Sequence, residues 1–221
     1  MGTPLKQGDW VENKAGLFVS PVYGFGLMDA GRMVSLAKNW TRVPRQEKCE
    51  IKGTDTDKHI PDTVSITVRD CPIKFLEHVQ IKVDLDFLYR GDLLLQLTAP
   101  SNTTSPLTRR RAFDHHVKFQ NLTNWVITTL FQWGENPFGT WKLRMSGLDP
   151  NYRSTGTLHS WSLFLYGTRD FYALVTIPET RPTRPTRTVS TTKEKLPTDD
   201  DNDDHSAGKV GEANLAFTSL I

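Results

Sequence analysis

Along residues 76 to 97, LEHVQIKVDLDFLYRGDLLLQL, apolar side chains fall on every second position in two runs separated by the polar break Tyr89-Arg90-Gly91-Asp92. Successive side chains of an extended chain point to opposite faces. Val79, Ile81, Val83, Leu85 and Phe87 therefore line one face, and Gln80, Lys82, Asp84 and Asp86 the other. Leu93, Leu95 and Leu97 repeat the pattern, so the segment reads as a β-hairpin with a half-buried strand on each side of its turn. Further short runs follow the same rhythm. Val64, Ile66 and Val68 alternate, Trp141, Leu143 and Met145 alternate with Lys142 and Arg144, and Trp161, Leu163 and Leu165 alternate with Ser162 and Phe164. Trp125 to Phe131 is a β-branched and aromatic stretch suited to a buried strand. Turn-forming clusters at 134–139 and 149–151 separate these runs.

One segment breaks the rhythm. In YGFGLMDAGRMVSLAK, residues 23–38, Leu27, Ala30, Val34 and Ala37 recur at helical spacing, which predicts a loop entering one amphipathic helix. Many short strands and a single helix make the chain mainly β, an antiparallel β-sandwich. Trp125, Trp141, Trp161 and the leucines of the opening pair of runs are its expected core. From about Arg169 the composition turns to Thr, Pro, Arg, Lys and Asp, with TRPTRPTR and an acidic run at 199–204. Such a segment buries too little apolar surface to offset its ordering entropy, so residues 169–221 read as a disordered tail, with the apolar stretch 171–177 as a possible edge contact.

Composition sharpens this picture only in places. The 221 residues are 37% hydrophobic and 10% aromatic, enough for a real core. The formal charge of +2 divides unevenly: residues 169–221 hold seven Lys or Arg against nine Asp or Glu, net −2, which leaves +4 on residues 1–168. Neither value favours a nucleic-acid partner. No run of about 18 apolar residues exists to span a membrane, and the first 20 residues lack the apolar stretch of a secretion signal.

Cysteine and asparagine usage nevertheless points to a secretory compartment. Cys49 and Cys71 bracket a polar segment, and a disulfide between them would stabilise the fold by about 3 kcal/mol. Asn39, Asn102 and Asn121 each open an Asn-X-Thr glycosylation sequon. With no leader visible, the chain reads as a piece of a longer secreted protein.

Candidate chemistry is sparse. No Gly-Thr-Ser-Ala-X-Pro or Gly-X-Ser-X-Gly element supplies a serine nucleophile, so no catalytic residue is assigned. His78, His115, His116 and His159 read as structural or surface histidines; Asp114-His115-His116 is weak as a metal site because neighbours on a strand diverge. The acidic run 199–204 lacks the glycine and final glutamate of a calcium loop, and no metal ligand is assigned. Arg90-Gly91-Asp92 supports two readings, a turn held by Gly91 and local pairing of its charges, or an adhesion loop on a non-catalytic binding module. Arg111 and Arg187 close basic stretches that a protease specific for such sites would cut.

Several stretches together resemble a known family. YGFGLMDAGRMVSLAKNW is similar to the last helix of the subtilisin-like catalytic domain of kexin and furin type proprotein convertases. The pair Cys49 and Cys71, LEHVQ, RGDL, TAPSNTT, NW, WGENPFGTW and GTLHSWSLFLYGT then resemble, in order, the P domain, or Homo B domain, of the same enzymes. The resemblance covers residues 8–168. It implies a jelly-roll sandwich at 41–168, preceded at 1–40 by the edge of a subtilisin-like domain. It also implies a calcium-dependent serine endopeptidase of the secretory pathway that cuts protein precursors after paired basic residues. The family's Asp, His and Ser lie upstream of that helix. The chain alone is therefore expected to lack peptidase activity and any cofactor of its own, and its missing catalytic domain is its expected partner. The helix tests this: in a detached piece its apolar residues stand exposed, in a self-sufficient module they are covered.

Overall fold

The computed structural model describes residues 8–114, 118–148 and 154–170. An N-terminal arm carries the short strands β1 (Val11–Glu12) and β2 (Phe18–Val19), which pair with each other, and the helix α1 (Ala30–Ala37). The strands β3 (Glu47–Lys52), β4 (Lys58–Ile60), β5 (Asp62–Val68), β6 (Phe75–Tyr89), β7 (Leu93–Thr98), β8 (Thr104–Pro106), β9 (Lys118–Thr129), β10 (Gly139–Gly147) and β11 (Gly156–Thr168) follow. They form two antiparallel sheets, one in the order β5-β10-β7-β8 and one in the order β3-β11-β6-β9, with β4 added to β11. The inward residues of both sheets share one core, in which Trp141, Trp161, Phe87, Ile81 and Leu143 are fully buried. The chain is the antiparallel β-sandwich that its alternation predicts.

The two runs at 76–97 do not form a hairpin. β6 pairs with β11 and β9, whereas β7 pairs with β10 and β8 in the opposite sheet. Between them Arg90–Asp92 makes one 3-10 turn that carries the chain across the edge of the sandwich. Both runs aim their alternate side chains at the same core, from opposite sides. Alternation reports which face is buried but not which strand is the neighbour, so it cannot separate a hairpin from a crossover.

A second difference concerns residues 125–131. β9 is the outer strand of its sheet, so Trp125 and Ile127 are only half-buried against the margin of the core and Val126 is exposed. Trp141 and Trp161 are buried as expected.

The glycines that open and nearly close β11 have a common cause. A Cβ on Gly156 would run into the carbonyl of Asp86, and one on Gly167 into the carbonyl of Phe75, because both glycines lie hard against the β6 backbone.

The Cys49–Cys71 disulfide joins β3 to the loop after β5 across 22 positions of sequence. Closing a loop of that size restricts the unfolded chain, so replacing both cysteines by Ser is expected to lower stability by about 3 kcal/mol. Urea unfolding of the oxidised protein and the double variant would measure it; equal midpoints would refute a stapling role.

Candidate functional site

The arm is held to the sandwich by two buried polar side chains. Asn13, 3% exposed, donates from Nδ2 to the carbonyls of Phe131 and Trp133 at 3.0 and 2.9 Å, and its Oδ1 accepts from the backbone N–H groups of Ala15 and Leu17. One amide thus closes the turn between β1 and β2 and docks that turn on residues 131–133 with every hydrogen-bonding position used. Glu135, also 3% exposed, is the second anchor. Its carboxylate accepts from the Lys14 backbone N–H at 2.8 Å, from Ser101 Oγ at 2.5 Å and from Thr103 Oγ1. The arm, the 101–103 turn and the 131–135 loop therefore meet on one carboxylate.

Around these anchors the local geometry is tight. Gly134 has φ of 80° and would place a Cβ 3.0 Å from the Cβ of Ala15, so the position calls for glycine twice over. Its N–H donates to the Leu76 carbonyl, and the Leu76 N–H donates to the Glu135 carbonyl, which straps the loop to β6. Phe25 meets Trp133 edge to face at 6.1 Å. The segment WGEN, residues 133–136, is the seat for the arm.

Beyond the seat the arm ends in an uncovered apolar surface. Asp29 caps α1 by accepting from the Arg32 N–H at 3.0 Å, which starts the helix at Ala30 rather than at Leu27. None of its eight residues is buried. Leu27, Met28, Met33 and Val34 are 62%, 78%, 55% and 62% exposed, and Trp40 stands exposed just after them. An eight-residue helix draws its stability from packing an apolar face, and among the described residues nothing covers this one.

Arg90, Gly91 and Asp92 occupy the crossover turn. Arg90 pairs with Asp114 at 3.0 Å, a Cβ on Gly91 would meet the Arg111 carbonyl at 2.6 Å, and the Asp92 carboxylate, 0% exposed, accepts from Ser154. The turn is a packed corner, and its aspartate is not at the surface. Arg111 pairs with the same Asp114 at 3.2 Å and its N–H donates to Gly91, which builds the preceding loop onto this corner. Arg187, the acidic run 199–204, the apolar stretch 171–177 and His115 and His116 lie outside the described residues. Asn39, Asn102 and Asn121 are all exposed.

His159 was legible only as one more surface histidine, and the fold gives it company. On β11 it stands with Nδ1 3.0 Å from Asp57 and Nε2 3.0 Å from Asp86 of β6. A neutral imidazole has one N–H, so it can donate to only one of these carboxylates; the imidazolium donates to both. The hydrogen bond to Asp57 is the largest influence and raises the His159 pKa; burial opposes it, and the hydrogen bond to Asp86 adds a smaller contribution to the rise. Nearby, the Asn124 backbone N–H and then Ser160 hold the Asp84 carboxyl below its ordinary value. Asp57 and Asp86 are engaged with an imidazole between them, which does not suit them to caging a cation.

A folded-state pKa above the unfolded one contributes stability that is complete below about pH 6.5 and lost as pH rises through the folded value. His159→Ala should therefore lower the melting temperature at pH 5.5 and leave it nearly unchanged at pH 8.5. A difference that stayed constant across that range would show that the contacts act by packing alone. His78 acts in the opposite sense, since burial lowers its pKa against a raising effect of Glu77, but it is common to both proteins and cancels.

The chain is thus a disulfide-stapled antiparallel β-sandwich with a docked arm that leads into an exposed apolar helix. Residues 76–165 match the family described as proprotein convertase P-domain. The chain is 39% identical over 169 residues to Furin-like protease 1 of Drosophila melanogaster, covering 74% of this chain and 13% of that protein. It is 40% identical over 178 residues to proprotein convertase subtilisin/kexin type 5 of Homo sapiens, covering 74% of this chain and 9% of that one. Among solved structures, the serine protease of Aeromonas sobria superposes with a TM-score of 0.58 at 25% identity, over 72% of this chain and 33% of the other. The sandwich is a proprotein convertase P-domain. The chain spans about a tenth of the length of the two curated relatives.

Proposed function

We propose that this chain is the C-terminal part of a kexin or furin type convertase and that its P-domain supports a subtilisin-like catalytic domain seated on the arm. The observation that carries this reading is the exposed apolar face of Leu27, Met28, Met33 and Val34 on a helix with no buried residue, beside an arm tied down by Asn13 and Glu135. A self-sufficient module would cover that face. An adhesive module that used Arg90-Gly91-Asp92 would need Asp92 at the surface, and it is buried.

In this role residues 1–40 belong to the edge of the catalytic domain and 41–168 to the sandwich. The whole enzyme would be a secretory-pathway serine endopeptidase that cuts precursors after paired basic residues. Its nucleophile, base and calcium dependence would come from the catalytic domain, and the work of this part is scaffolding.

Co-expression with a convertase catalytic domain that ends before residue 8 tests the reading. Amide hydrogens of residues 27–37 should become protected from exchange in the complex, while the purified chain alone should leave a fluorogenic Arg-X-Lys-Arg peptide uncut. Cleavage by the chain alone, or unchanged exchange at the helix, would overturn it.

A further inference from the structure

β9 is the outer strand of the five-stranded sheet. It pairs with β6 on one side, and among the described residues no strand pairs with the other. An open edge of this length presents unpaired N–H and C=O groups to any second chain, and folded proteins blunt such edges with lysine, proline, bulges or a cover. From Asn121 to Trp133 the sequence NLTNWVITTLFQW has no charge and no proline. Val126 and Leu130 are exposed along it. Windows of this composition favour strand-to-strand association. A bulge does interrupt β9, where the register shifts opposite Asp84 and Asn124 takes φ of 52°. Regular pairing with β6 nevertheless resumes at Trp125 and runs to Thr129, so the most β-prone part of the edge stays straight.

The sequon Asn121-Leu122-Thr123 lies in this strand. Asn121 stands opposite Asp86 and is exposed, as is Thr123, while Leu122 between them is half-buried against the core. In an extended chain positions i and i+2 share a face. The acceptor amide and the hydroxyl that its modification requires therefore both face solvent, and the residue between them faces inward. Asn102 differs, sitting in a turn at φ of 69° with Thr104 hydrogen-bonded to Thr98.

We propose that Asn121 carries an N-linked glycan and that this glycan covers the free edge of β9 against pairing with a second chain. The donor is an oligosaccharide linked through pyrophosphate to a lipid. The amide nitrogen of Asn121 attacks the anomeric carbon, the bond from that carbon to the pyrophosphate oxygen breaks, the amide gives up one proton, and the lipid pyrophosphate leaves. Val126 lies about 17 Å along the strand at ~3.4 Å per residue, a span that a branched oligosaccharide covers. The inference rests on the secretory reading above.

The test expresses the full chain behind a secretion signal in mammalian cells. Mass spectrometry of the tryptic peptide 119–142 should show a glycan on Asn121. Sedimentation of the folded protein after enzymatic removal of the glycan, and of the Thr123→Ala variant, should shift from monomer to dimer or larger. Adding Val126→Lys to Thr123→Ala, which places a charge on the same edge, should return the monomer. A vacant Asn121 beside an occupied Asn39 or Asn102 would overturn the inference and leave the secretory reading standing. Occupancy at Asn121 with a monomer after its removal would overturn the covering role. All three sequons vacant, with free thiols at 49 and 71, would overturn both readings.

Discussion

Trp141→Ala is expected to lower the stability of the sandwich by about 3 to 5 kcal/mol, the largest single-residue effect in the protein. Trp141 is 0% exposed on β10, the strand that pairs with β5 on one side and β7 on the other, and it projects into the core shared by the two sheets. Truncation removes the indole and leaves a cavity that neighbours in two sheets can fill only by breaking their own register. It also strands the Pro137 carbonyl, which accepts from the indole N–H at 2.9 Å, at an additional cost of about 1 kcal/mol. Domains of this size are stable by roughly 5 to 15 kcal/mol, so the variant should be marginal. Urea unfolding should show a much lower midpoint with an unchanged slope. Trp141→Phe, which keeps most of the volume and loses the N–H, should fall between. A Phe variant as unstable as the Ala variant would assign the effect to the hydrogen bond rather than to volume.

Glu135→Ala should cost on the order of 3 kcal/mol by a different route. The carboxylate gathers a backbone N–H from the arm and hydroxyls from Ser101 and Thr103 into a buried site, and truncation leaves these donors without their acceptor. The hydroxyls can turn elsewhere, whereas the Lys14 N–H is fixed by the turn that Asn13 closes. The loss should therefore fall mainly on the arm. Hydrogen exchange at residues 11–19 should accelerate more than exchange in the β6 and β11 backbone, and the arm should become the first site of proteolysis. Glu135→Gln keeps one carbonyl oxygen and should lose about half as much. Uniform acceleration across the whole domain would show that Glu135 supports the sandwich rather than the seat.

Much of the fold was legible because a two-sheet sandwich writes its inner face directly into the chain. Val79 to Phe87, Leu93 to Leu97 and Trp141 to Met145 are all buried on the alternate positions that their rhythm marks. The seat was not legible in those terms. Asn13 and Glu135 are polar residues in loops, where hydropathy assigns them to solvent, and their burial follows from partners more than 115 positions away, Phe131 for Asn13 and Lys14 for Glu135. Within WGENPFGTW the residue types mark a turn at 134–139 and Trp141 as core, but nothing local assigns Glu135 to a buried site. The structure supplies the reason: Gly134 admits the arm, Glu135 anchors it, and Trp141 fills the core.

By itself the sequence determined the β class, the buried face of each main strand, the position of α1 and the cysteine pair, because each is written in local spacing or in residue type. Tertiary structure decided which strands are neighbours. It placed β6 and β7 in opposite sheets, set β9 at an open edge, brought Asp57 and Asp86 to either side of His159, and buried Asp92 in a corner. Period-two alternation is satisfied equally by a hairpin and by a crossover, so the choice falls to pairing between distant segments, where backbone hydrogen bonds and core packing must be met together.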